Sequence, residues 1–193
     1  MMRRESPRPS LRELAVAAGV SVPTLRHYFG ARPQVIDAIF EDCLRLGREG
    51  LDAQRSSEKP FDESVQDYVE ALIRALRAKR DVGLGDLIAV SLGEGLIDTA
   101  VSPSTLRHIL NPTIEALEAR LRVHIARGEM IETDVRAAAL MLVSPLLLAI
   151  LHQDQMRGAA MSPMRVEETV LAIGDAFVRA YATPERTPIR QAS

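Results

Sequence analysis

The chain has no tryptophan, a single cysteine, and only three tyrosines and four phenylalanines among 193 residues. One cysteine, Cys43, excludes an intrachain disulfide and a cysteine-based zinc site, and it fits a reducing cytoplasm. Cys43 itself reads as a small apolar residue on the third helix. Scarce aromatics, with Ala and Leu dominant, favour close-packed helices over sheets. No secretory signal is visible, because Arg3 and Arg4 are not followed by an apolar run. The longest apolar stretch, 137–151, falls short of the roughly 20 residues of a membrane crossing and is interrupted by Ser144 and Pro145. It reads as a buried helix, and no membrane association is expected. A dominant charge sign is missing too: the net charge is −2, which gives no bulk attraction to nucleic acid.

Charge is nevertheless unevenly spread. Residues 1–32 hold six Arg against Glu5 and Glu13, a net +4 against −2 for the whole chain, which leaves the remainder at −6. A basic head on an acidic body fits local phosphate binding. That head contains SLRELAVAAGVSVPTLRHYF at 10–29, which has the spacing of a helix-turn-helix. Leu11 and Leu14 begin an apolar stripe, and Ala15 is small where two helices cross. Gly19 falls where the turn needs a positive φ. Val20 is expected under the turn, Ser21 at the cap of the second helix, and Leu25 and Phe29 on its inner face. Pro23 is tolerated in the first helical turn.

With Leu25, Phe29 and part of Tyr28 inward, Val22, Pro23, Arg26 and His27 are expected to point outward. Such a unit places its second helix in the DNA major groove. Arg26 can fork onto a guanine edge, His27 can read a base or touch a phosphate, and Val22 can lie against a thymine methyl. Ser10, Ser21, Thr24, Tyr28 and Arg32 are placed to hold backbone phosphates.

The string AGVSVPTLRHYFGARPQVIDAIF resembles the helix-turn-helix of the TetR family of transcriptional repressors, roughly I-A-x-x-A-G-V-S-x-G-T-L-Y-x-H/Y-F-x-S-K-x-x-L. Leu14, Ala15, Ala18, Gly19, Val20, Ser21, Thr24, Leu25, Tyr28 and Phe29 match position for position, and Arg32 stands for the usual Lys. Pro23 replaces the usual Gly and Arg26 the usual Tyr. Family members carry a further helix before this motif. Here MMRRESPRP precedes Ser10, with Pro7 and Pro9 against a helix, and a start assigned too far downstream or a truncation is expected.

The resemblance implies an all-α chain: a helix-turn-helix head, then a helical-bundle ligand-binding and dimerisation domain. The expected divisions are 1–52 for the head with its connecting helix, 60–183 for the regulatory domain, and 184–193 for a disordered tail. Helical spacing predicts segments at 33–51, 61–79, 102–127 with a bend at Asn111–Pro112, 134–156 and 163–182. Gly83, Gly85, Gly93 and Gly95 form two Gly-x-Gly runs without a preceding strand, so helix ends or close helix contacts are expected rather than a phosphate cradle.

Also implied are a homodimer through the last two helices, with two heads about 34 Å apart on a palindromic double-stranded operator. A small, largely apolar effector would enter the body and release the DNA. Helix placement and family analogy point to Tyr68, Leu72, Leu87, Val90, Leu106, His108, Leu110, Met141 and Pro145 as its pocket. His108, His124 and His152 lie on separate segments without ligand spacing, so no metal or cofactor is expected. No nucleophile stands with a base at motif spacing, so no enzyme activity is expected. The alternative reading is a helical, dimeric ligand- or protein-binding module with an incomplete DNA-binding head.

Overall fold

The computed structural model describes residues 8–78 and 83–184. Ten α-helices order these residues: α1 (Leu11–Ala17), α2 (Val22–Phe29), α3 (Arg32–Ala53), α4 (Phe61–Arg77), α5 (Leu84–Ile97), α6 (Ser102–Thr105), α7 (Asn111–Ala126), α8 (Val135–Ile150), α9 (Gly158–Met161) and α10 (Val166–Tyr181). Two π-helical turns, Leu106–Leu110 and Leu151–Gln155, join α6 to α7 and extend α8. The tail expected to be disordered falls, from residue 185 onward, outside the described residues, as does Lys79 at the expected end of α4.

Each long helix follows from its sequence. Phe61, Val65, Val69 and Leu76 recur at helical spacing on α4 and are all buried. Gly128, at φ 72°, ends α7. Asp134 caps α8 by accepting from the amides of Arg136 and Ala137. The expected bend before Pro112 takes the form of the π turn Leu106–Leu110, which accommodates a residue with no N–H to donate.

In the body, α10 lies against α4 and α8, and α7 against α8. The two ends of this bundle are tied by polar contacts. Arg77 at the end of α4 donates to Asp154 at 2.9 and 3.2 Å and also pairs with Glu167. The amide of Ile131 donates to Tyr181 and that of Thr183 to Glu129, which fixes the end of α10 on the α7–α8 turn. Gly95 has a packing reason: a Cβ there would stand 2.6 Å from Thr105 Oγ1, so α5 and α6 could not meet with any larger residue.

The helix expected over 134–156 is present as α8 and the π turn that extends it. The helix runs through Pro145 and on through the π turn to Gln155, 21 residues in all, and is long and apolar enough to cross a membrane by length and composition alone. Ser144 and Pro145 do not interrupt it, because one proline removes one hydrogen bond while the neighbouring turns hold the helix. Its inner side, with Ala138, Leu142, Leu146 and Ile150, is core.

Candidate nucleic-acid interface

The head is built around two caps and one turn. Ser10 caps α1 in a capping box: its Oγ accepts from the Glu13 amide, and its own amide donates to Glu13 Oε2 at 2.7 Å. These bonds hold the Glu13 carboxyl below its usual range. Gly19 takes φ 68°, as the turn requires, and the Val20 amide reaches back to the Ala15 carbonyl. Ser21 caps α2 through the Thr24 amide, and the two hydroxyls stand 2.7 Å apart. Leu14, Ala15 and Leu25 are buried where α1, α2 and α3 meet.

On α2, Pro23, Thr24, Arg26, His27 and Tyr28 are exposed. The rings of His27 and Tyr28 contact edge to face at 5.2 Å. The Arg26 side chain has no hydrogen-bond or ion-pair partner among the described residues. This is a short exposed row of donors and rings on one helix, in which Thr24 shares its hydroxyl with Ser21.

Several expected placements change. Val22 is half-buried and packs against the core rather than standing clear for a thymine methyl. Phe29, expected inward, is 45 % exposed, and Val20, expected under the turn, is 40 % exposed. The hydroxyls of Ser10 and Ser21 already serve as caps. Arg32 is engaged within the chain. Its side chain turns away from the exposed row of α2 and toward the body: Nε donates to the Pro9 carbonyl at 2.7 Å, and Nη2 pairs with Glu94 Oε1 at 2.5 Å. The physical reason is a fully buried carboxylate on α5 that needs a cation.

The nine expected effector residues differ in burial. Tyr68 and His108 are buried, and Leu72, Leu87, Val90, Leu110 and Pro145 are half-buried. Leu106 and Met141 lie on the surface, at 49 % and 60 % exposure. A cleft of about 390 Å³ sits between α4 and α10, lined by charged groups including Asp62, Asp67, Asp175 and Arg179. A second, of about 540 Å³, lies beside Arg122 and Glu132. Neither cleft is lined by any of the nine residues. Helical spacing identified apolar positions but not whether each faces core, void or solvent.

His108 serves as a tie between helices. His108 Nε2 lies 3.1 Å from Asp37 Oδ1, to which Ser104 also donates, joining α3 to the segment that follows α6. The Ser104 hydroxyl, with His108 and Arg107 behind it, holds Asp37 below its usual range. Among the described residues no group of three metal-ligating side chains gathers.

A network that sequence spacing missed surrounds His124. Its Nε2 is 2.8 Å from Ser64 Oγ and its Nδ1 is 2.5 Å from Glu129 Oε2. Arg120 Nη1 donates to both the Oγ and the carbonyl of Ser64, while its Nε donates to the Gln54 carbonyl that ends α3. A neutral His124 with its proton on Nδ1 satisfies every member. The order Ser–His–Glu is that of a hydrolase triad, yet Ser64 and His124 are both fully buried, so no substrate can reach the hydroxyl. The only sequence trace was polar residues four apart, Arg120 and His124, within an apolar stripe.

No protein-family model and no curated relative matches the sequence. Solved structures do match the fold. A protein described as a TetR-family transcriptional regulator, from Mesorhizobium loti, aligns with a TM-score of 0.66 at 17 % identity, over 91 % of this chain and 87 % of that one. The TetR family transcriptional regulator PfmR from Thermus thermophilus aligns with a TM-score of 0.56 at 24 % identity, over 89 % and 88 % of the two chains. Both alignments span head and body together, so the chain has the fold of the TetR-family transcriptional regulators.

Proposed function

We propose that this chain is a TetR-like transcriptional regulator, a repressor that binds a palindromic operator as a homodimer and is released by a small molecule. The observation that carries the reading is the outer face of α2, where Pro23, Thr24, Arg26, His27 and Tyr28 stand exposed while Leu25 alone is buried. Arg26 is the base reader, by its fork geometry and its lack of any other partner. Thr24, His27 and Tyr28 supply phosphate or sugar contacts that set register.

Dimerisation is assigned to α8 and α10. Leu140, Met141 and Leu148 leave an apolar stripe at 41 %, 60 % and 64 % exposure, beside Ala172 and Ala176 on α10. Pairing two such faces would place two heads on successive major grooves. An effector acts only through its differential affinity for the two head arrangements, typically about 1–3 kcal/mol of coupling. The protein would act in the cytoplasm, where its DNA is.

The test is fluorescence-anisotropy binding to the chain's own promoter DNA and to scrambled DNA at physiological salt. Sequence-dependent binding is expected. Arg26→Ala should relax preference at one base pair, by about 1–3 kcal/mol, without an equal loss on random DNA. Equal loss on both DNAs would remove Arg26 from the groove. No preference in the parent protein would instead favour the ligand- or protein-binding module.

A further inference from the structure

The head is fastened to the body by charge. Glu94, on α5, is a fully buried carboxylate. Arg32, at the first turn of α3 and immediately beyond the α2 cap, reaches it at 2.5 Å and lies 3.5 Å from Asp98. Arg8 closes on the same two acids, 3.7 Å from Glu94 and 3.3 Å from Asp98. The Pro9 carbonyl takes the remaining Arg32 Nε–H, so the segment leading into α1 joins the cluster. Two arginines of the basic head are thereby neutralised by two acids of the body.

We propose that this cluster is an autoinhibitory clamp: Glu94 and Asp98 compete with DNA phosphates for Arg32 and Arg8, and the clamped arrangement is a state of reduced DNA affinity. This rests on the DNA-binding reading above. Arg32 is 18 % exposed in the clamp, so it cannot present its fork to a phosphate without leaving Glu94. Opening also uncovers a carboxylate that would repel DNA, so release must move α5 as well as the arginines. That helix packs against α4, α6 and the π turn that continues α8. Any binding event in the body that displaces α5 therefore changes how many cations the head can offer.

The experiment is anisotropy titration of promoter DNA across a salt series with the parent chain, Glu94→Gln, Asp98→Asn and Arg32→Gln, and with Glu94→Gln combined with Arg32→Gln. Glu94→Gln is expected to tighten binding on the order of tenfold and to steepen the salt dependence by about 0.9 for each arginine freed. Asp98→Asn should shift binding the same way by less, and it retains the buried Glu94 should Glu94→Gln fail to fold by circular dichroism. In the Arg32→Gln background most of the Glu94→Gln gain should vanish. A gain that persists there would be ordinary loss of surface negative charge and would overturn the clamp. Unchanged or weaker binding by both acid variants, with the parent binding specifically, would also overturn it. Absence of DNA binding in every variant would refute the DNA-binding reading itself, and the clamp with it.

Discussion

Replacing Arg120 with methionine removes a guanidinium while keeping most of the apolar stem, and its cost can be worked from the surrounding bonds. Arg120 is 5 % exposed and has no carboxylate partner among the described residues. Burial drives its pKa down, and the guanidinium lies 5.9 Å above the Tyr68 ring. Three bonds to oxygen are short: the Gln54 carbonyl at 2.9 Å, the Ser64 carbonyl at 3.1 Å and Ser64 Oγ at 2.9 Å. Bonds from a charged donor contribute about 1.5–3 kcal/mol each, so the gross loss is about 5–9 kcal/mol. Returning the cation to water in the unfolded reference offsets several kcal/mol of this. The acceptors stay behind without partners, so a net loss of about 2–4 kcal/mol is expected. For a chain of this length that lowers Tm by about 5–15 °C. Thermal and urea unfolding followed by circular dichroism give both numbers, and the urea slope should not change. Amide exchange around residues 52–56 should accelerate, because the bond on the last carbonyl of α3 is gone. A loss under about 1 kcal/mol, with exchange unchanged, would refute the reasoning: desolvation of the cation would then cancel all it does at the α3–α4 junction.

Other outcomes follow from the same structure. Ser21→Ala removes the cap of α2 and should cost about 0.5–2 kcal/mol of stability by urea unfolding, with weaker binding to every DNA tested. Leu148→Glu places a charge on the exposed stripe of α8; sedimentation should show a shift from dimer to monomer with helicity intact, and an unchanged dimer would move the interface elsewhere. Asp37→Asn should destabilise the chain at pH 7. Because the folded state lowers the Asp37 pKa, chiefly through Ser104, its contribution is present above the unfolded value near 4 and is lost as pH falls through the folded one. The difference between variant and parent should therefore shrink in unfolding curves below about pH 4, and its size is limited by the partial exposure of the carboxylate.

The order of helices and the turn of the head were legible because each depends on neighbours in sequence. Gly19 must supply a positive φ, Ser21 must cap within three residues, and Leu14 and Leu25 must meet across one short turn. Arg32 was not legible in the same way. Its position next to the second helix of the helix-turn-helix suggests a phosphate contact, but its partner Glu94 lies 62 residues away and is placed by the packing of α5. The same holds for Ser64, His124 and Glu129, which come from α4, α7 and the turn after it, at spacings with no motif. Buried polar groups find whichever partners the tertiary fold brings near, since an unpaired one is costly. Local pattern reports that such a residue is anomalous, not what satisfies it.

Why helical spacing cannot by itself assign pocket residues is visible on α8 alone. Met141 and Leu142 are adjacent and equally apolar, yet one is 60 % exposed and the other fully buried. A helix apolar on every side carries almost no directional signal, so its sequence cannot assign faces. What it does imply is a need for cover all round. Within the described residues α7 and α10 cover Ala138, Leu142, Leu146 and Ile150, and Leu140, Ser144 and Leu148 remain open. By length and composition the segment to Gln155 would equally suit a bilayer, while its inner side packs as core against α7 and α10. In the dimer proposed above, a second copy of the same face, with the exposed Ala172 and Ala176 of α10, would close the stripe as a four-helix bundle. That geometry is why the Leu148→Glu measurement bears on the regulator reading as directly as any DNA titration.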